Sequence, residues 1–191
     1  MIVDQKNKFI FVAVAKTAST SIRIRFGADC GVPPNIYHMF LEDIIKSHPG
    51  SEHFYKFAFV RNPYDRLVSA YYDFRFDKGH QEWAFPIYKY DTFKDFIMNL
   101  ETSPCRDFIH LQPQYDFLQV DGEVKLDFVG RYENLREDFK KVEKDLGIRS
   151  VELPTIRTST HPDFKELYDK EMKEIVKRMY GNDFEEFGYE F

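Results

Sequence analysis

The chain has 191 residues, of which 43 % are hydrophobic and 31 % charged, a balance that supplies the core of one folded domain and excludes disordered and collagen-like classes. Its net charge of −5 excludes a general attraction to nucleic acid or to an anionic membrane surface, so any anion site has to be local. The apolar run at residues 9–14 is too short for a signal segment or a span, and no other stretch approaches the roughly 18 apolar residues a membrane helix needs; the expectation is a cytoplasmic protein with no membrane partner.

Residues 8–14 (KFIFVAV) are β-branched and aromatic without strict alternation, as in a strand buried on both faces. A polar turn at 15–18 leads into a short helix over 19–26, with Ser19 or Thr20 expected as its N-cap. A helix is expected over 38–47, stopped by Pro49-Gly50, and a second apolar strand over 54–60. Asn62-Pro63 then reads as an N-cap followed by proline at the first helical position, opening a helix that runs to about Phe76. Residues 77–91 lack clean periodicity and read as a long loop, after which helical spacing resumes at 92–100. A third apolar strand is expected at 126–130, an amphipathic helix at 133–146 ended by Gly147, and a C-terminal helix at 162–180 whose aromatic tail packs back on the domain. Strand-to-helix order recurs three times, which predicts a three-layer α/β fold with a central parallel sheet flanked by helices, formed by one domain over 1–191. Cys30 and Cys105 show no metal-type spacing and read as buried free thiols.

Two segments are suited to bind anions. In AVAKTASTSIR, Lys16, Thr17, Ala18, Ser19, Thr20 and Ser21 fall at a strand-to-helix turn, where outward N–H groups and hydroxyls can hold a phosphate. An ordinary capped helix with a surface lysine fits the same letters. A Walker A loop does not, because no glycine precedes Lys16. In FAFVRNPYDRLVSAYYDF, Arg61 closes a buried strand and Ser69 lies two turns into the following helix; a guanidinium fork plus a hydroxyl suits a phosphate monoester. Arg66, on the same side of that helix as Ser69, fits either this site or a salt bridge with Asp65 or Asp73.

Together, in this order and about 45 residues apart, KTASTS and RNPYDRLVSAYY resemble the nucleotide-binding elements of the sulfotransferase superfamily, especially its carbohydrate (Golgi-type) and bacterial members. HLQPQYDFL, FVGRYENLREDF and the ending FEEFGYEF extend the resemblance over nearly the whole chain. It implies a P-loop-like sulfotransferase fold, 3′-phosphoadenosine 5′-phosphosulfate (PAPS) as sulfuryl donor, no required metal, and a hydroxyl-bearing acceptor, commonly a sugar. KTASTS looks like the loop for the 5′-phosphosulfate, and the segment from Arg61 to Ser69 like the holder of the 3′-phosphate. Arg157 stands where relatives often carry Asn ahead of a serine, here Ser159.

Sulfuryl transfer in line between two oxygens needs charge stabilisation on the leaving oxygen, a task for Lys16, and a base near neutral pH, a task for histidine. His38 ranks first by the resemblance, since related enzymes carry their base in a comparable stretch. His110 is open between a base, a substrate ligand and a structural histidine. Trp83, Tyr88 and Tyr90 can stack on a sugar or simply pack the long loop. A nucleotide kinase or NTPase and a catalytically silent nucleotide-binding domain are the competing readings.

Overall fold

The computed structural model describes residues 1–27, 37–76, 87–156 and 161–191. In chain order the elements are β1 (Ile2–Asp4), β2 (Phe9–Val12), α1 (Ser19–Arg25), α2 (Leu41–Ser47), β3 (Tyr55–Val60), α3 (Pro63–Phe76), α4 (Phe93–Met98), α5 (Gln114–Leu118), β4 (Gln119–Val120), β5 (Glu123–Val124), β6 (Phe128–Arg131), α6 (Leu135–Asp145), α7 (Lys170–Met179) and α8 (Gly181–Phe187). They form two compact units: the first takes Met1–Arg61 and the stretch that begins at Gln114, and the second takes Asn62–Pro113 and the C-terminal stretch to Phe191.

The first unit is built on a four-stranded sheet in the order β1-β2-β3-β6. β2, β3 and β6 are parallel neighbours, which are the three strands expected from the apolar runs, each with shorter pairing than the run itself. The sheet is nevertheless mixed rather than purely parallel, because β1 pairs antiparallel with β2, Val3 opposite Ile10. The cause is local: the Asp4 carboxylate accepts the N–H groups of Lys6 and Asn7, both at 2.8 Å, and Lys8 takes φ 54°, folding Ile2–Asp4 back as an edge strand. Three residues are too few to show a period in the sequence.

Phe9, Phe11, Phe57 and Phe59 on one sheet face pack with Ile22 of α1 and with Phe139 and Val142 of α6. Residues of opposite parity, Ile10, Val12, Ala58 and Val60, are equally buried, so both faces of the central strands are covered. Buried Glu143 braces α1 against α6, accepting from Arg25 Nε (3.2 Å), Ser150 Oγ (2.6 Å) and Val151 N (3.1 Å).

In the second unit α3 starts as expected: Asn62 Oδ1 accepts Tyr64 N–H at 3.0 Å, ahead of which Pro63 has no N–H to satisfy. Leu67, Val68, Tyr71 and Phe74 bury one side of α3 with Phe93 and Phe96 of α4 and Met172 and Val176 of α7. The C-terminal helix expected over 162–180 is two pieces, a 3₁₀ turn at Phe164–Glu166 and then α7, because Asp163 caps the first and Asp169 independently caps the second. Gly188, at φ 61°, ends α8, and Phe191 returns onto the Tyr64 ring with centroids 5.0 Å apart. Cys105 is a free, fully buried thiol whose pKa burial pushes up. Cys30, Trp83, Arg157, Ser159 and most of the expected long loop, residues 77–86, lie outside the described residues.

Gly130 lies opposite Phe59 across β3 and β6, and a Cβ there would overlap three atoms of the Phe59 ring. That ring is boxed in by Phe57, Phe128 and Phe139 and cannot swing aside. Gly130→Ala is therefore expected to lower stability by about 1–3 kcal/mol, read as a fall in Tm. An unchanged Tm would show that the ring has room to move.

Candidate active site

β2 and β3 run parallel and end at the same edge of the first unit's sheet, and the residues just beyond them build the site. After β2 the chain turns sharply through Lys16 (φ 68°) and Ala18 (φ 61°), two left-handed residues with Thr17 between them on the ordinary side. Such alternation of handedness turns successive N–H groups toward one concave side, the backbone form that cradles anionic oxygens. Buried Thr17 fastens the turn, its hydroxyl donating to Val14 O at 3.0 Å. What Thr17 presents to a ligand is thus its N–H, its only hydroxyl proton being in use.

The left-handed turn also corrects the expected helix start. Ala18 is the N-cap of α1, with no side-chain cap bond, and Ser19 is already helical. The chain enters the helix one residue earlier than the hydroxyl pattern suggests. Ser19 and Ser21 are buried, whereas Thr20 is half-exposed and accepts from Arg23 Nη2 at 3.3 Å.

Beyond β3, Arg61 is 5 % exposed and its Nη1 donates to Lys16 O at 3.2 Å. The turn after β2 and the arginine after β3 therefore meet at one edge. Its guanidinium lies over the Tyr132 ring, 4.2 Å from the centroid, and Tyr132 directly follows β6. Its backbone is held by Gln114 at the start of α5, fully buried, whose Oε1 accepts Arg61 N–H at 2.9 Å while Nε2 donates to Arg61 O at 2.8 Å.

His38 joins the same edge. The helix expected from residue 38 begins only at Leu41, and His38 instead sets Nδ1 2.6 Å from Ala13 O, just past β2. A carbonyl cannot donate, so Nδ1 carries the hydrogen and the neutral ring has its lone pair at Nε2. Phe40 stacks on buried Phe117 of α5 with centroids 4.7 Å apart, fixing the path of this segment. Lys16, Thr17, Ala18, Ser19, Thr20, Ser21, His38 and Arg61 thus all belong to the first unit.

The family of the chain follows from comparison with known proteins. Residues 1–190 match the profile described as the sulfotransferase family. The chain belongs to the sulfotransferase family. It is 31 % identical over 112 residues to an uncharacterized protein of Archaeoglobus fulgidus, covering 58 % of this chain and 82 % of that protein. It is 29 % identical over 170 residues to carbohydrate sulfotransferase 10 of Mus musculus, covering 72 % of this chain and 47 % of that protein. Carbohydrate sulfotransferase 14 of Danio rerio is 26 % identical over 99 % of this chain and 62 % of its own length. The chain thus spans about half to three-fifths of the length of the two carbohydrate sulfotransferases. No solved structure matches it significantly.

Ser69 and His110 belong to the second unit. Ser69 is buried on α3, one turn after Arg66, which is 1 % exposed and donates to Gln112 O (2.7 Å) and His110 O (3.4 Å). Tyr180 Oη donates to Leu111 O at 2.6 Å, so the backbone at 110–112 is clamped from two sides. The His110 ring packs against Phe74 and Phe108, at centroid distances of 5.0 and 4.8 Å. Tyr90 O accepts the Tyr71 hydroxyl at 3.0 Å, which makes Tyr90 part of the packing of this unit. Among the described residues no cluster of His, Cys, Asp or Glu is arranged to hold a metal ion, and no helix is long and apolar enough to cross a membrane.

Nothing in the sequence singles out Gln114 or Tyr132, although they lie within HLQPQYDFL and FVGRYENLREDF. A glutamine opening a short helix signals nothing by itself; its partner is 53 residues away.

A left-handed alanine is strained where glycine is not. Ala18→Gly is expected to leave Tm unchanged or raise it, and Ala18→Val to lower stability by roughly 1–2 kcal/mol. Equal losses in both variants would mean that the left-handed turn is not a source of strain.

Proposed function

We propose that this sulfotransferase moves a sulfuryl group from PAPS to a hydroxyl of an acceptor, a sugar or small glycoconjugate. The observation that carries the reading is the Arg61-to-Lys16 contact, which brings the alternating-hand turn after β2 and the arginine after β3 to one edge. A donor with phosphates at two ends asks for two such cationic elements together. The names of the mouse and zebrafish relatives support a carbohydrate acceptor.

In this reading the N–H groups of Lys16 to Ser19 and the hydroxyls of Ser19, Thr20 and Ser21 hold the 5′-phosphosulfate, and the Arg61 guanidinium holds the 3′-phosphate. Lys16 stabilises the charge that grows on the bridging oxygen as its bond to sulfur breaks. The acceptor oxygen forms the new bond to sulfur in line, and its proton passes to a base. His38 is that base: Ala13 O holds Nδ1–H, which leaves Nε2 as the basic atom of the neutral ring. Lys16 and Arg61 supply the positive charge, so the reading calls for no metal.

The test is transfer of radiolabelled sulfate from PAPS to a panel of hydroxylated acceptors, with calorimetry on 3′-phosphoadenosine 5′-phosphate (PAP), ATP and GTP. Wild type is expected to transfer label and to prefer PAP. Lys16→Ala is expected to lower kcat by about 10²–10³-fold. His38→Ala is expected to lower kcat by at least ~10²-fold while leaving PAP affinity intact, whereas Arg61→Ala weakens PAP binding. Preference for ATP would favour a kinase or NTPase, and tight PAP binding without transfer a silent domain. Equal loss of PAP affinity in the His38 and Arg61 variants would remove His38 as base.

A further inference from the structure

We infer that Gln114 and Tyr132 form a two-part mount that aims the Arg61 guanidinium, and so set the preference of the site for a nucleotide bearing a 3′-phosphate. The inference rests on the donor reading above and assigns to it two positioning residues.

β3 pairs with β6 as far as Val60, opposite Arg131. At the next residue the sheet partner is replaced by a side chain: the Gln114 amide accepts from Arg61 N and donates to Arg61 O, as a neighbouring strand would. Both bonds have ordinary ladder lengths and are buried, so the Arg61 backbone is held as a strand residue is held. An arginine one residue past a strand end would otherwise sit on a backbone free to fray.

The other end of the side chain is held separately. The Tyr132 ring, 4.2 Å below the guanidinium, fixes the plane of the fork, and Lys16 O, 3.2 Å from Nη1, fixes its rotation in that plane. Backbone, plane and edge are thus set by three elements, α5, the turn after β6 and the turn after β2. A bidentate fork recognises a phosphate only in a narrow range of orientations, and an arginine already held there loses less rotamer freedom on binding. Gln114→Met keeps length and apolar bulk but removes both hydrogen bonds. Tyr132 is only half-buried, so Tyr132→Leu removes the ring without threatening the fold.

The experiment measures the ratio of affinities for PAP and for adenosine 5′-phosphate, which lacks only the 3′-phosphate, together with Tm. Wild type is expected to prefer PAP, and Arg61→Ala to lose that preference. Gln114→Met is expected to reduce it by about 5–10-fold and Tyr132→Leu by about 3–10-fold, each with affinity for adenosine 5′-phosphate unchanged. Adding Tyr132→Leu to Arg61→Ala should cause no further loss. A merely structural role would lower Tm and leave the ratio intact, and that result in either folded variant overturns the mount; should Gln114→Met not fold, Tyr132→Leu decides alone. A wild type that binds both nucleotides equally would overturn the donor reading and this inference with it. Discrimination in wild type that survives in the variants overturns this inference alone.

Discussion

Where a parallel strand leaves its sheet, its last peptide groups lose their ladder partners, and in a buried setting each group left unpaired costs about 1–3 kcal/mol. The edge where β2 and β3 end meets this demand with side chains. His38 satisfies Ala13 O, Thr17 satisfies Val14 O, Arg61 satisfies Lys16 O, and Gln114 satisfies both backbone groups of Arg61. The same bonds that close the sheet edge hold in place the lysine, histidine and arginine assigned to chemistry. Stability and orientation at this edge are one set of interactions.

That economy explains why a short helix matters so much. α5 has five residues, yet Gln114 at its start pins Arg61 while Phe117 one turn on carries Phe40 and with it the His38 segment. The Arg61 backbone and the His38 segment are thereby referenced to one element, α5. The left-handed turn at Lys16 and Ala18 stores modest strain at the same edge, where the curvature that strains alanine also gathers the N–H groups.

The second unit is organised differently. Its backbone at 110–112 is clamped by Arg66 and Tyr180, and its core is dominated by rings, among them Tyr64, Phe74, Phe96 and Tyr168. A buried arginine that donates to carbonyls in this way shows how poorly helix position alone predicts a role: Arg66 shares a side of α3 with Ser69, as the spacing says, but its fork meets main chain.

The residues alone determined the local elements and their order. The apolar runs of β2, β3 and β6, the Asn62-Pro63 start of α3 and the two cationic strand ends are each written within a few neighbouring positions, because propensity, capping and periodicity act over one or two turns. The antiparallel β1, the early start of α1 at Ala18 and the division of the C-terminal helix at Asp169 come from turns and caps of two or three residues, too short to show a period in the sequence. The partnership of Gln114 with Arg61 was decided only when the chain closed on itself, for the two lie 53 residues apart. A pairing of that kind has no signature in either segment taken by itself, since its energy exists only once both are out of water.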